Sequence, residues 1–237
     1  GVFQFPTSET WNGIQNFIAS VTQMDFLKSF WYSLVISVMS VVLILLCCSM
    51  SAWNIVRVNG LLSKVLYYLC VFSMVVPFQM VMFTLAKTAD TLKLNNPYTI
   101  CIVYLGFGAG LAVFMFTGFV KGSPLEIEEA AMIDGCGPFR ILTSIIIPMC
   151  KPGIVTVCMI SAMAAWNEYP VALVMVTDPT KATLPVGLAN LYEIQRYATD
   201  WGALFAALVL ALIPTVILFI VGQKQLVQGL SVGGVKG

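Results

Sequence analysis

The stretch WYSLVISVMSVVLILLCCSMSA (residues 31–52) decides the class of fold. No charged residue occurs between Lys28 and Arg57, and a helix needs roughly 20 apolar residues to cross a bilayer. Its apolar residues do not alternate with polar ones, as they would in a strand of a membrane barrel. Because a helix satisfies its own backbone hydrogen bonds, this stretch predicts a transmembrane helix.

Four more apolar stretches of similar length follow, at about residues 65–86, 98–119, 153–176 and 202–221. The fold class predicted is therefore all-α: one domain over residues 1–237, a polytopic transmembrane helical bundle with five spans here and six expected in the full chain. Alternation of the spans makes residues 1–30 an external segment. The same alternation places the loop at 120–152 and the C-terminal tail at 222–237 on the opposite side of the membrane.

Prolines and glycines within the spans predict how the helices bend and meet. Pro77, Pro170 and Pro214 are expected to kink their helices, which a bundle tolerates. Gly106 and Gly110 form a GxxxG pattern, which favours close approach of a neighbouring helix.

Composition removes several classes of function. The sequence is 59% apolar and 10% charged, with a net charge of +1 and no histidine. It therefore offers no basic surface for nucleic acid, lacks the commonest general base and metal ligand, and contains no GxxxxGK[ST] phosphate loop. The seven cysteines form no C-x-x-C pair. No catalytic residue, metal site or cofactor is predicted in this chain.

Lysine and arginine favour one orientation weakly. Seven lie on the side that holds the 120–152 loop, namely Arg57, Lys64, Lys121, Arg140, Lys151, Lys224 and Lys236. Five lie on the other side: Lys28, Lys87, Lys93, Lys181 and Arg196. The excess predicts a cytoplasmic loop and C-terminus.

The loop itself predicts a short helix outside the bilayer, from about Pro124 to Asp134. Ser123 is a suitable N-cap, Glu126 completes a capping box with it, and Gly135 suits a left-handed C-cap. A second helix is expected over 138–148. The acids of the first helix suit its N-terminal dipole, which a plain surface helix would also show. Alternatively, the helix docks into a groove of a partner and its acids meet basic groups there.

The spacing of this loop resembles a known family. Glu129-Ala130-Ala131 is followed after three residues by Gly135, and after nine more by a segment from Ile145 to Pro148. This is similar to the Glu-Ala-Ala…Gly…Ile-x-Leu-Pro motif of binding-protein-dependent ABC import permeases. Ile147 stands where the family has leucine.

Three other segments resemble the carbohydrate-uptake branch of that family, which includes the maltose-transport G-type subunits. They are Trp-Asn-Glu-Tyr at 166–169, Thr-Leu-Pro-Val-Gly-Leu at 183–188 as the loop that follows, and a C-terminal segment at 229–237 in which Gly234 replaces an alanine. The resemblance covers nearly the whole chain from residue 31 onward and implies a further N-terminal helix.

The resemblance implies a heteromeric importer in a bacterial or archaeal cytoplasmic membrane. A second permease subunit, probably a different chain, would share one path. Two ATPase subunits would hold ATP and Mg, and an external solute-binding protein would deliver a sugar substrate. The loop helix would be the coupling helix seated in an ATPase cleft. The loop residues assigned to that contact are Glu128, Glu129, Ala130, Ala131, Asp134, Gly135, Cys136 and Pro148.

Trp166, Asn167, Glu168 and Tyr169 are candidates for the translocation path or its gating. A carboxylate inside a span is costly unless it faces protein or water, so Glu168 is either a lock between helices or a path-lining group. On a continuous helix we expect Asn167 and Glu168 to bond to neighbouring helices, and Trp166 or Tyr169 to lie nearer the path. An ion-coupled secondary transporter and a structural membrane-assembly subunit are the competing functions.

Overall fold

The computed structural model describes residues 11–58, 60–198 and 200–234, and within those ranges it contains helices and no strand. The all-α prediction is confirmed. The helices are α1 (Gly13–Gln23), α2 (Phe26–Arg57), α3 (Leu61–Ser73), α4 (Phe78–Thr91), α5 (Cys101–Lys121), α6 (Leu125–Ile133), α7 (Pro138–Ile141), α8 (Ile147–Met149), α9 (Lys151–Trp166), α10 (Pro170–Met175), α11 (Leu184–Ala198) and α12 (Trp201–Gly234). A π-helical turn (Leu142–Ile146) joins α7 to α8, and a 3₁₀ turn (Pro179–Lys181) precedes α11.

Three helices are long and apolar enough to cross a membrane on their own: Phe26–Arg57, Cys101–Lys121 and Trp201–Lys224. They confirm the predicted helices at 31–52, 98–119 and 202–221. Two bent helix pairs raise the possible number of spans among the described residues to five.

The predicted helix at 65–86 is wrong as a continuous element. Helix α3 ends at Ser73, α4 begins at Phe78, and their axes differ by 108°. Pro77 is the cause: its φ of −64° and ψ of 138° are extended rather than helical, and a proline disfavours helical backbone in the residue before it. Pro77 therefore redirects the chain instead of kinking one helix.

The predicted helix at 153–176 is also wrong as a single element. Helix α9 ends at Trp166, and Pro170 opens the short helix α10. A proline has no N–H to donate and clashes with the carbonyl four residues earlier, so the chain breaks over residues 167–169. By contrast, Pro214 lies inside α12, which continues through it.

Helix α2 forms the centre of the bundle, packed against α5, α9 and α3. Its buried stripe is rich in small polar residues: Ser29, Ser33, Ser37, Ser40 and Ser49. Small residues let helix backbones approach closely in a membrane protein. The hydroxyl of Ser33 also accepts the backbone N–H of Leu184 at 2.7 Å, which joins α2 to the start of α11.

The GxxxG prediction holds at one of its two glycines. Gly110 meets α3 so closely that a β-carbon there would lie 2.5 Å from Met74 Cγ, whereas the same point at Gly106 has no atom within 4 Å. Gly108 instead faces Ile44 of α2. The contact surface of α5 therefore does not follow a simple four-residue repeat.

Among the described residues, helices extend into the external segment and into the tail that the sequence predicted. Helix α1 lies within the predicted external segment 1–30 and packs on α12, while residues 1–10 fall outside the described residues. Helix α12 continues through the predicted tail as far as Gly234, and residues 235–237 also fall outside. The segment 183–188, expected to be a loop, is helical from Leu184 onward.

Candidate functional site

Helix α6 (Leu125–Ile133) is the predicted docking helix, and it ends as expected. Gly135 has a φ of +80°, which confirms the left-handed conformation. The N–H of Gly135 donates to the carbonyl of Met132 at 3.0 Å, and the N–H of Cys136 donates to that of Ala131 at 2.9 Å. These two bonds make a complete Schellman motif, so the chain leaves α6 in a fixed direction.

The predicted capping box at the start of α6 is wrong. Pro124 is the N-cap, and no side chain bonds to the first turn of the helix. Ser123 is buried, and its hydroxyl donates to the carbonyl of Phe119 at 3.5 Å, back toward the end of α5. Its hydroxyl therefore bonds toward α5 and not to α6, which local sequence could not reveal.

Glu128 is the fully buried side chain of α6, with 1% of its surface exposed. Its Oε2 accepts the Trp53 indole N–H at 2.8 Å, and its Oε1 accepts the Arg57 Nε–H at 2.8 Å. Arg57 Nη2 also donates a hydrogen bond to Oε1. The assignment of Glu128 to the partner contact is therefore corrected, because its carboxylate faces α2 of its own chain.

The remaining loop residues divide by exposure. Glu129, Ala130, Asp134, Gly135 and Pro148 are exposed, Cys136 is half-buried, and Ala131 is buried. Ala131 packs in a core cluster with side chains of the second loop helix, namely Ile141, Leu142 and Ile146. The loop is thus a small folded unit attached to the bundle, with one free face.

That free face is apolar as well as acidic. Ile133 is 87% exposed, and Ile127 and Met132 are also exposed, beside Glu126 and Glu129. A short helix that presents apolar side chains flanked by charges is suited to dock into a groove of another protein.

The second loop helix was predicted over 138–148 and is found over Pro138–Met149, with a π-helical turn at Leu142–Ile146. Pro148 lacks the N–H that would bond to the carbonyl of residue 144 in an α-helix. A π turn widens the helix by one residue, and its position next to Pro148 accommodates this missing bond. The axis then bends by 81° into α9.

The second candidate site lies at the break between α9 and α10. Trp166 is 9% exposed, donates its indole N–H to the carbonyl of Ala211 at 3.4 Å, and meets the Phe30 ring edge-on at 5.4 Å. Asn167 is exposed and bonds within α9, from Nδ2 to the carbonyl of Met163 at 2.9 Å. Tyr169 is 37% exposed.

The structure differs from the bonding pattern expected for these residues. Trp166, rather than Asn167 or Glu168, bonds to a neighbouring helix. Glu168 is half-buried, and its Oε1 accepts the backbone N–H of Val171 at 2.8 Å, which caps the first turn of α10. The prediction assumed a continuous helix, and the break after Trp166 changes the direction of every following side chain.

Glu168 lines a cavity of about 170 Å³ together with Tyr104 of α5. The rest of its wall is mostly apolar and comes from α2, α5, α9 and α10, including Ile44, Phe107, Leu111, Ile160 and Ser161. Tyr104 is 6% exposed, and its hydroxyl has no hydrogen-bond partner among the described residues. An unpaired buried hydroxyl is costly, so the cavity presents a vacant donor and acceptor beside a carboxylate.

Sequence reasoning did not identify Trp53, Arg57 or Tyr104 as site residues. Arg57 carried a signal, because it is the charged residue that ends the uncharged stretch after Lys28, and a lone arginine at a helix end can pair with a loop acid. Tyr104 carried no such signal, because aromatic residues are common in apolar transmembrane stretches. Among the described residues, no group of three or more histidine, cysteine or acidic side chains could hold a metal ion.

Comparison with known proteins identifies the family. The profile described as "Binding-protein-dependent transport system inner membrane component" matches residues 45–232. The chain belongs to this family. It is therefore a permease, the transmembrane subunit of an ABC importer, and not an enzyme. Membership removes the ion-coupled transporter and the assembly subunit as alternatives.

Relatives of the permease agree with this assignment. It is 32% identical over 223 residues, 94% of its length and 81% of the other chain, to the "Probable starch degradation products transport system permease protein AmyC" of Thermoanaerobacterium thermosulfurigenes. It is 31% identical over 225 residues, 94% of its length and 80% of the other chain, to the "Melibiose/raffinose/stachyose import permease protein MelC" of Bacillus subtilis.

A solved structure shares the fold of the permease. A chain of a bacterial ABC transporter involved in the import of the acidic polysaccharide alginate superposes with a TM-score of 0.75 and 22% identity, covering 88% of this chain and 78% of that one. At this identity the match supports the fold alone.

Proposed function

We propose that the permease imports a neutral sugar or oligosaccharide, driven by ATP hydrolysis in partner subunits. Relatives at 31–32% identity are named for starch degradation products, arabinooligosaccharides, and melibiose, raffinose and stachyose. The cavity beside Glu168 has no lysine or arginine in its lining, so nothing there would pair with an acidic sugar. A sugar hydroxyl can donate a hydrogen bond to a carboxylate, and it can donate to or accept from a tyrosine hydroxyl. A neutral sugar therefore suits the polar groups of this cavity.

The single observation that carries the coupling part of the proposal is the free face of α6. It is displayed on a unit folded against the bundle, and Glu129 points outward while Glu128 is held inside. We assign this face, with Ala130, Asp134, Gly135, Cys136 and Pro148 around it, to the ATPase contact. A second permease subunit, two ATPases holding ATP and Mg²⁺, and an external binding protein complete the proposed importer.

The same proposal places the α6 loop and the C-terminus in the cytoplasm of a bacterium or archaeon. The excess of positive residues on the loop side supports this orientation. Tyr104 lies in the first turn of α5, the end opposite Lys121. The Tyr104–Glu168 cavity would then face the external half of the membrane and extend about two helical turns inward to Leu111.

We assign Tyr104 and Glu168 to the path as hydrogen-bonding groups for sugar hydroxyls. Glu168 Oε1 is occupied by Val171, and its Oε2 has no bond among the described residues, so one carboxylate oxygen is free. Phe107, in the same wall, offers an apolar face for a sugar ring. A carboxylate here is tolerable only if water, sugar or a second subunit covers it.

The experiment is reconstitution. The permease, co-expressed with a sister permease and the ATPase from its own gene neighbourhood, is placed in liposomes with ATP inside and binding protein plus labelled sugar outside. We expect uptake only when ATP, ATPase and binding protein are all present, and no nucleotide binding by the purified permease alone. Uptake without the ATPase, or tight ATP binding by the isolated chain, would refute the proposal.

A further inference from the structure

We infer that Arg57, Glu128 and Trp53 are positioning residues that join α6 to the end of α2, so that the docking helix and the bundle move as one body. This inference rests on the proposed function. It starts from the burial of Glu128, the only acid that is fully buried among the described residues. A buried charge is stable only when it is paired and hydrogen-bonded, so this carboxylate has to stay with its partners.

The partners come from one helix end. Trp53 and Arg57 lie four residues apart in the last turn of α2, which puts both side chains on the same face. Together they give three hydrogen bonds to the Glu128 carboxylate, two from the guanidinium and one from the indole. Both carboxylate oxygens are used, so α6 can neither slide nor rotate on α2 without breaking a charged bond.

Arg57 extends the connection to a third element. Its Nη2 also donates to the carbonyls of Ser123 at 3.1 Å and Val120 at 3.5 Å. Val120 belongs to the last turn of α5, and Ser123 lies in the link between α5 and α6. One guanidinium thus joins the ends of α2 and α5 to the docking helix. Its planar fork suits it for this, whereas lysine would present a single point charge.

The helices joined in this way reach the second candidate site. Helix α2 contributes Ile44 to the wall of the Tyr104–Glu168 cavity, and α5 contributes Tyr104 itself. A displacement of α6 by an ATPase is therefore carried to two walls of that cavity through charged bonds. Glu128 and Glu129 are adjacent but about 100° apart around the helix, so one acid holds the bundle while the other is free for the partner.

The test compares these two neighbours. Glu128→Gln keeps the size of the side chain but removes its charge, and Glu129→Gln does the same on the outer face. In the assembled importer we expect Glu128→Gln to bind the ATPase normally but to import several-fold less sugar per ATP hydrolysed. Glu129→Gln is expected to weaken ATPase binding while the sugar imported per ATP in the remaining complexes stays unchanged.

A second measurement needs no transport. Hydrogen exchange of the α6 amides in the detergent-solubilised chain should speed up several-fold in Glu128→Gln and remain unchanged in Glu129→Gln. Trp53→Phe, which removes one hydrogen bond to Glu128, should speed up the same exchange to a smaller extent than Glu128→Gln. It replaces Glu128→Gln if that variant fails to accumulate.

The outcomes separate the two hypotheses. If the unmodified permease recruits no ATPase, the proposed function fails, while the exchange data still test the connection. If the permease is functional but Glu128→Gln shows unchanged coupling and unchanged exchange, the positioning role is wrong. Loss of ATPase binding in Glu128→Gln to the same degree as in Glu129→Gln would also overturn it.

Discussion

The carbonyl oxygen of Cys70 lies 2.6 Å from the point that a β-carbon would occupy on Gly110, which fixes how closely α3 approaches α5. Ser73 Oγ lies 2.8 Å from the same point. A backbone carbonyl of a helix cannot rotate away, so nothing larger than glycine fits here without separating the two helices. Gly106, one turn earlier, has open space at the equivalent point.

This contrast gives a matched pair of variants. We expect Gly110→Ala to lower the stability of the detergent-solubilised permease by an overpacking cost of about 1–3 kcal/mol. Gly106→Ala should be neutral or stabilise α5 by up to about 1 kcal/mol, because alanine is the better helix former. The measurement is the thermal unfolding midpoint of each variant under the same conditions. Equal midpoints would show that α3 does not pack closely against Gly110.

Gly135 offers a second pair, with Gly137. Neither glycine has an atom within 4 Å of its β-carbon position, but Gly135 has a φ of +80° and Gly137 a φ of −74°. Gly135→Ala should therefore cost about 1–2 kcal/mol from backbone strain alone, whereas Gly137→Ala should cost little. We expect faster hydrogen exchange over residues 136–141 and weaker ATPase binding in the first variant only. Similar behaviour of both would argue against a role for the left-handed turn.

Trp166 is expected to act as a lock between α9 and α12. Trp166→Phe keeps an aromatic ring beside Phe30 but removes the indole donor to the carbonyl of Ala211, a loss of about 0.5–1.5 kcal/mol. Trp31→Phe is the control, since Trp31 is 55% exposed on α2. The thermal midpoint should fall for Trp166→Phe alone. If Trp31→Phe causes an equal fall, the hydrogen bond to Ala211 contributes nothing specific.

Tyr104 and Glu168 are expected to affect sugar handling rather than assembly. Loss of a hydrogen bond to a charged group costs about 1.5–3 kcal/mol, so Glu168→Gln should raise the apparent KM for sugar uptake roughly tenfold or more. Tyr104→Phe should raise it by a smaller factor, and Tyr98→Phe, at an exposed position, should leave it unchanged. Unaltered uptake in both cavity variants, with normal ATPase binding, would remove this cavity from the path.

The helices that were predicted correctly are those whose evidence lies within their own stretch of sequence. Residues 31–52 lack charge over enough length to cross a bilayer, and Gly135 ends a short helix with the one residue that adopts positive φ freely. Neither inference needs to know what lies elsewhere in the chain.

The predictions that failed depend on partners far away in sequence. Glu128 was assigned to the partner contact as part of the loop motif, but its own partners are distant in sequence: Trp53 lies 75 residues before it and Arg57 lies 71 residues before it. Ser123 likewise resembles an N-cap, but it is buried and its hydroxyl bonds back to the carbonyl of Phe119 in α5. Pro170 suggests a kink, but the chain breaks because the proline cannot continue α9, and Glu168 then accepts the N–H of Val171 at the start of α10.

The separation of Arg57 and Glu128 also bears on biosynthesis. Arg57 leaves the ribosome 71 residues ahead of Glu128, which at about 5–20 residues per second is a delay of roughly 4–14 s. During that delay its charge is unpaired at the end of α2, on the side proposed as cytoplasmic, where positive residues are retained during insertion. The same guanidinium would therefore first fix the topology of a nascent helix. A substitution at position 57 would act on membrane insertion before it acts on the finished importer.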